Sequence, residues 1–310
     1  MIKEAVRPYA KLVQEFNLLV DEPMEKYTSF KIGGIADLLA LPENKMELKN
    51  LIKTAWQLDI PMTLIGGGTN LLITDKGIRG LVIITNQLKS KIKFKNRTSD
   101  TDSDTKTVIV DAGERLSKLC QFAINHNLSG LEFAAGIPGT VGGAIKMNAG
   151  TKSGDMSTVI NSIEILDENT FKIKNIEKNL LNFSYRNLEL SQIILSAEVT
   201  MKKGNQKKIE QIFKYNLTKK NASQPVSFAN AGCFFKNPLI GKSAGELIEK
   251  AGLKGTRIND AMVSEKHANF IVNMGSATCK DVLLLKQQIQ ETVLKKFNVQ
   301  LRTEVRVEGE

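Results

Sequence analysis

Apolar residues recur along this chain with two different periods, and the way the two alternate predicts a mixed protein of helices and strands. Leu48, Leu51, Ile52, Ala55 and Leu58 fall at helical spacing behind Asn44 and Glu47, a cap pair, so a helix is predicted over 44–58. It leads through Asp59, Ile60 and Pro61 into a short buried strand at 62–65. The runs at 81–84 and 108–110 read as further buried strands, and Leu116, Leu119, Cys120 and Ala123 mark a second helix with Cys120 on its apolar face. Strands follow at 157–166, 171–176 and 192–201, and a long polar helix over 205–221 then breaks the pattern and opens a new domain. A helix at 243–251, a strand at 269–272 and a helix over 280–297 complete the series. Val282, Leu285, Ile289, Val293 and Phe297 share one face of that last helix, and Thr278 with Asp281 forms a capping box. At the end, Leu301, Thr303, Val305 and Val307 alternate with Arg302, Glu304, Arg306 and Glu308, which predicts a strand with Glu304 between two arginines on one face. Alternation alone reads as an exposed charge ladder on an edge strand.

Two segments break these periods with glycine. Gly66, Gly67, Gly68, Thr69 and Asn70 follow the strand at 62–65, and Gly136, Ile137, Pro138, Gly139, Thr140, Val141, Gly142, Gly143 and Ala144 run on to Asn148 and Gly150. Glycine is costly inside ordinary elements, so such clusters point to turns with positive φ and to amides brought close to a ligand. Successive exposed N–H groups form a concavity suited to a pyrophosphate. A Rossmann fingerprint is excluded, because Leu71 stands where its third glycine belongs and strand-type residues follow. A P-loop is excluded as well, since no Gly-Lys-Ser/Thr ending appears. On the glycines alone, a pair of ordinary tight turns stays open.

Composition narrows the class. With 310 residues, 42% hydrophobic and 25% charged, the chain suits a soluble protein of two or three domains. No run approaches the roughly 18 apolar residues of a membrane span, and the N-terminus lacks a signal-type apolar core, so a cytoplasmic protein with no membrane partner is expected. Cys120, Cys233 and Cys279 are far apart and odd in number, which argues against a disulfide framework or a zinc site, and no metal is expected. Cys279 falls in the first turn of its helix, where structural placement is the expectation. The net charge of +10 raises the question of nucleic acid, but the basic residues are scattered, mostly lysine, and not interleaved with aromatics, so no nucleic acid is expected. Asp100, Asp102 and Asp104 resemble the start of a calcium loop, yet Thr105 occupies the glycine position, and 88–106 reads as a polar surface excursion.

Taken together and in order, the two glycine segments, Tyr185-Arg186-Asn187, the run from Ala231 through Gly232, Cys233, Phe234, Phe235, Lys236 and Asn237 to Pro238, the run from Ser264 to Asn273, and Glu304-Val305-Arg306 resemble the UDP-N-acetylenolpyruvoylglucosamine reductases. The likeness extends from about Thr28 to the C-terminus. The short stretch after Arg186 resembles the subgroup without an inserted tyrosine-bearing loop. The resemblance implies an α+β fold: a two-subdomain FAD-binding region of the vanillyl-alcohol oxidase type (1–86 and 87–204), then an α+β substrate-binding domain (205–310). A monomer is the default expectation.

The resemblance also implies the chemistry. The glycine segments would surround the FAD pyrophosphate, with Thr69 and Asn70 adding side-chain hydrogen bonds and Asn148 belonging to the same wall. NADPH would reduce FAD, and the reduced flavin would then reduce UDP-N-acetylglucosamine enolpyruvate in peptidoglycan precursor synthesis. Arg186, Cys233 and Glu304 match the catalytic positions. Arg186 suits the substrate carboxylate and the charge that develops there, Cys233 the proton donor and Glu304 a polarising or positioning role. Many relatives carry serine at position 233; a thiol of pKa about 8.5 is mostly protonated at neutral pH and is a stronger acid than an alcohol. Tyr185, Lys236, Asn237 and His267 match substrate or phosphate contacts. Ser223 stands where relatives carry a lysine, so Lys219 or Lys220 would have to supply that charge.

Overall fold

In the computed structural model, which describes residues 9–88, 91–95 and 104–310, the longest strand, Ile193–Lys203, organises one of two compact units. This unit comprises Met1–Leu18, Ala40–Gly67 and Ile83–Lys219. Ile193–Lys203 runs antiparallel between Ile160–Leu166 and Thr105–Asp111. Ile173–Glu177 forms one edge and Lys93–Phe94 the other, while Leu128–Ser129 pairs with the far end of the long strand. Two register shifts in Ile160–Leu166 explain why its side chains do not alternate cleanly in burial, as bulges disturb the two-residue period.

The helices of this unit follow the sequence pattern closely. Lys45–Gln57 buries Leu48, Leu51, Ile52 and Ala55, and Asn44 accepts from the Glu47 amide at 2.9 Å. The Glu47 carboxylate reaches one residue further back than a capping box requires, to the Glu43 amide at 2.8 Å. Leu116–Asn125 buries Cys120, whose thiol is pushed up to about 12, by burial first and then by the charge of Glu132. Gln206–Ser223 buries Ile209 and Phe213 in the same core as Val108, Leu119 and Val199. The predicted polar excursion contains a short strand, Lys93–Phe94, because Phe94 packs its ring against Phe122 and His126. Its calcium-like residues Asp100 to Ser103 lie outside the described residues.

The other unit comprises Leu19–Leu39, Gly68–Val82 and Lys220–Glu310. Its central sheet orders Ala229–Asn230, Ile271–Asn273, Ala261–Val263 and Arg257–Ile258, all antiparallel. Ala244–Lys250 and Cys279–Phe297 supply Leu247, Ile248, Val282, Leu285, Ile289 and Val293 to a core shared with Phe30, Phe234, Phe235 and Val305. Both helices begin in capping boxes, Ser243 with Glu246 and Thr278 with Asp281. A further carboxylate, Asp75, accepts from the amides of Cys279 at 2.7 Å and Lys280 at 2.9 Å. These bonds occupy donors that the first helical turn leaves without partners, and the negative charge suits the helix dipole. Cys279 is buried there and its thiol is pushed up to about 12 by that burial and by Asp75.

The predicted C-terminal strand is corrected by the structure. Only Arg306–Glu308 is regular, and it runs parallel to Leu71–Ile73. Upstream, Thr303 bridges antiparallel to Phe235, so the chain changes neighbour at Glu304 and Val305. Val305 is buried and Val307 is exposed, so the simple alternation of a single edge ladder does not hold.

Candidate functional site

The two glycine segments meet within the first unit. A Cβ on Gly67 would come within 2.8 Å of the Gly139 Cα and 3.2 Å of the Thr140 N, and one on Gly66 within 2.7 Å of Thr140 Oγ1. Gly139 has φ +105°, a conformation that an L side chain rarely adopts. Thr140 caps Val141–Lys146, its Oγ1 accepting from the Gly143 amide at 3.3 Å. The Val141 and Gly142 amides donate to the carbonyls of Glu114 and Ala112, both at 2.8 Å, and the Ile137 amide to Ala134 at 2.9 Å. Much of the expected anion-binding segment is therefore occupied by the protein's own carbonyls. Among the described residues, the amides of Gly139 and Thr140 meet no protein acceptor, and they lie beside Gly67.

Asn148, 4% exposed and with φ +39°, serves as a bridge. Its Nδ2 donates to the Ser184 carbonyl at 3.0 Å and its Oδ1 accepts from the Ser157 amide at 3.0 Å. Ser184 ends the first arm of a hairpin, Asn182–Ser184 with Asn187–Glu189, whose two-residue turn is Tyr185-Arg186. Lys146 holds the outgoing side through the carbonyls of Leu188, at 3.2 Å, and Leu190. Arg186 has φ +56°, uncommon for a non-glycine residue. Its guanidinium lies 5.0 Å from the centre of the Tyr185 ring and donates to the Gly150 carbonyl at 2.7 Å. Tyr185 is 45% exposed.

The second unit carries the other residues expected at the site. Gly68, with φ +63°, has no room for a side chain, since a Cβ there would run into the Tyr27 carbonyl oxygen, and its own carbonyl accepts from the Ser29 amide at 3.0 Å. Thr69 follows, and the Asn70 side chain donates to the Glu304 carbonyl at 3.1 Å. Cys233 is half-buried, on a turn closed by Asn230, whose Oδ1 accepts from the Gly232 amide at 2.8 Å. Beyond Cys233, Asn269 grips the backbone three ways. Its carbonyl accepts from the Phe234 amide at 2.7 Å, its Oδ1 from the Phe235 amide at 3.0 Å, and its Nδ2 donates to the Phe235 carbonyl at 2.8 Å. Asn230 and Asn269 thus fix the backbone on either side of Cys233, and the sequence reading did not single them out. A signal for Asn269 was available: a lone amide in the apolar run 268–272 is the kind of buried polar group that requires partners.

Lys220 distinguishes itself from Lys219. Burial pushes its ammonium down to about 8, partly offset by its electrostatic interaction with Cys233. Lys219 is exposed, 6.0 Å from the centre of the Tyr215 ring. The Ser223 hydroxyl donates to the Lys220 carbonyl at 3.3 Å, one turn along the same helix. The Lys236 amide donates to the Arg302 carbonyl at 2.8 Å, and Asn237 Oδ1 accepts from the first amide of Ala244–Lys250 at 3.0 Å. His267 is part of a turn, its Nδ1 accepting from the Asn269 amide at 3.2 Å. Burial above all depresses its pKa, which favours the neutral ring.

Comparison with known proteins defines the class first. Residues 36–170 match an FAD binding domain, and residues 224–308 match the C-terminal domain of UDP-N-acetylenolpyruvoylglucosamine reductase, so the α+β fold is that of a flavoprotein with a dedicated second domain. A UDP-N-acetylenolpyruvoylglucosamine reductase of Caldanaerobacter subterraneus subsp. tengcongensis is 43% identical over 97% of this chain and 96% of its own length. The one of Latilactobacillus sakei subsp. sakei is 42% identical over 98% and 97%. The crystal structure of the Thermus caldophilus enzyme superposes with a TM-score of 0.76 at 34% identity, covering 94% of this chain and 97% of that one. The chain belongs to the UDP-N-acetylenolpyruvoylglucosamine reductase family.

FAD is the group this fold implies, and the residues present fit it. The close approach of Gly67 to Gly139 and Thr140 leaves no room for a side chain, and the Gly139 and Thr140 amides, which donate to no acceptor among the described residues, are donors that a phosphate could use.

Proposed function

We propose that this protein is an NADPH-dependent flavoenzyme that reduces UDP-N-acetylglucosamine enolpyruvate to UDP-N-acetylmuramate, a step of peptidoglycan precursor synthesis. The observation that carries this reading is likeness to a reductase of that name over 97% of the chain, at 43% identity. FAD, when bound, would supply the hydride chemistry that links NADPH to the terminal carbon of the enol ether. Gly66, Gly67, Gly139, Thr140 and the neighbouring residues Gly68, Thr69, Gly136, Ile137, Pro138, Gly142, Gly143 and Ala144 form the cofactor-binding segments. We assign 1–86 and 87–204 to cofactor binding and 205–310 to substrate binding, in a monomeric cytoplasmic protein.

The other steps belong to side chains. Arg186 binds the substrate carboxylate through its planar fork and lowers the energy of the negative charge that builds there. Its left-handed backbone at a two-residue turn, held from both arms by Asn148 and Lys146, supports this role, since strain that the surroundings maintain is characteristic of functional positions. Cys233 gives its proton to the carbon next to the carboxylate and is left as thiolate. Lys220, beside it, provides positive charge for the anionic substrate and for that thiolate, in place of the missing lysine at 223. Glu304 orients the donor and the polarised substrate. Tyr185, Lys236, Asn237 and His267 line the path of the sugar nucleotide.

The test is spectroscopic. Purified protein reconstituted with FAD should lose its oxidised-flavin absorbance on anaerobic addition of NADPH and regain it when the enolpyruvyl sugar nucleotide follows. A protein that takes up no FAD, or whose reduced flavin ignores this substrate, would refute the reading.

A further inference from the structure

Glu304 occupies a break in hydrogen bonding. Before it, the chain lies antiparallel to the segment that follows Cys233: the Lys236 amide donates to the Arg302 carbonyl at 2.8 Å, Thr303 bridges Phe235, and the Glu304 amide donates to the Phe234 carbonyl at 2.9 Å. After it, Arg306–Glu308 runs parallel to Leu71–Ile73, with the Arg306 amide donating to the Asn70 carbonyl at 3.1 Å. A chain that changes neighbour leaves the carbonyl at the change without a ladder donor, and a buried or half-buried carbonyl needs one. Asn70 supplies it, through Nδ2 at 3.1 Å. The same residue thus holds the chain on both sides of the change, by its side chain at Glu304 and by its backbone at Arg306. Leu301 and Val305, both buried, anchor the flanks. Phe234, which receives the Glu304 amide, is itself fixed by Asn269 and adjoins Cys233.

We propose that Asn70 is a positioning residue for Glu304: the last residue of the Gly66–Asn70 glycine loop sets the place of the carboxylate relative to the segment 233–236. The proposal deepens the reading above and rests on it, because it takes Glu304 to act on the substrate. It assigns the Asn70 amide a task in the second half of the reaction, where a ligand of FAD would act in both halves. Small displacements of an acting group cost on the order of 10²-fold in rate, and a residue that works only through Glu304 has no effect once the carboxylate is gone.

The experiment measures the two half-reactions by rapid mixing in Asn70→Ala, in the isosteric Asn70→Asp, in Glu304→Gln and in Asn70→Ala/Glu304→Gln. FAD affinity of the apoprotein and amide exchange at 304–306 are measured alongside. Both Asn70 variants are expected to reoxidise about 10²-fold more slowly, a loss larger than any in FAD affinity or in reduction by NADPH, and to exchange faster at 304–306. The double variant is expected to reoxidise no more slowly than Glu304→Gln. Weakened FAD binding with normal reoxidation of the flavin that is bound would overturn the proposal, as would effects that multiply in the double variant or exchange unchanged at 304–306. Normal reoxidation in Glu304→Gln would fault the role of Glu304 itself, and so identify the failure as one of the underlying reading.

Discussion

Lys220 gives the sharpest expectation at the scale of single residues. Its ammonium persists below about pH 8 and is lost above it, so the KM for the anionic sugar nucleotide should rise above pH 8. Lys220→Arg should stay flat through that range, because guanidinium does not titrate there; Lys220→Met should have a high KM at every pH. Stability runs the other way. The folded pKa lies below the unfolded value, so the neutral form favours folding above pH 10.5, and the benefit is lost as pH falls through about 8. At pH 7 the half-buried ammonium is therefore a cost, and Lys220→Met should raise the Tm while impairing turnover. Steady-state kinetics against pH and thermal melts check both. The sequence pointed to Lys219 and Lys220 equally, because burial decides between them and neighbours in sequence do not reveal it. The same holds for Asn148, expected among the cofactor residues; its two bonds to Ser184 and Ser157 arise from folding that no spacing announces. Cys120 was legible, since an apolar helical face gives a cysteine no other task.

At the scale of elements, what is local was legible. The capping boxes at Ser243 and Thr278 appear as the sequence suggests, because caps involve residues three apart. Asp75 capping Cys279–Phe297 was not legible, since the two are more than two hundred residues apart in the chain. The break at Glu304 was hidden for a similar reason: an unbroken alternation 301–308 says nothing of a change of neighbour. The glycines of Val141–Lys146 separate packing from ligand contact. A Cβ at Gly142 would sit 2.7 Å from the Ala112 Cβ, whereas one at Gly143 would meet only Thr140 Oγ1, at 3.4 Å. Gly142→Ala should therefore lower the Tm of the apoprotein. Gly143→Ala should leave it unchanged or raise stability by up to about 1 kcal/mol through helix propensity, yet weaken FAD binding at least tenfold if the cofactor lies against this helix. Calorimetry of the apoprotein with an FAD titration reads the two effects separately; normal affinity in Gly143→Ala would remove this helix from the cofactor wall.

At the scale of the molecule, each compact unit has a core of its own, and the residues to which we assign catalysis occur in both: Arg186 in the unit built on Ile193–Lys203, Cys233 and Glu304 in the other. The glycine loop itself passes from one unit to the other between Gly67 and Gly68. Such interleaving of segments escapes a reading that moves along the chain, whereas the order of motifs that marks the family does not. The basic residues behind the net charge of +10 are scattered along the chain, half-buried Lys220 among them. The central claim concerns a flavoprotein reaction in two halves with Cys233 as the acid of the second. Rapid mixing of Cys233→Ala with NADPH and then with UDP-N-acetylglucosamine enolpyruvate tests it most directly. The account predicts flavin reduction at the unmodified rate and no return of oxidised-flavin absorbance on adding substrate, with Cys233→Ser retaining appreciable reoxidation. Reoxidation of Cys233→Ala at the unmodified rate would contradict it.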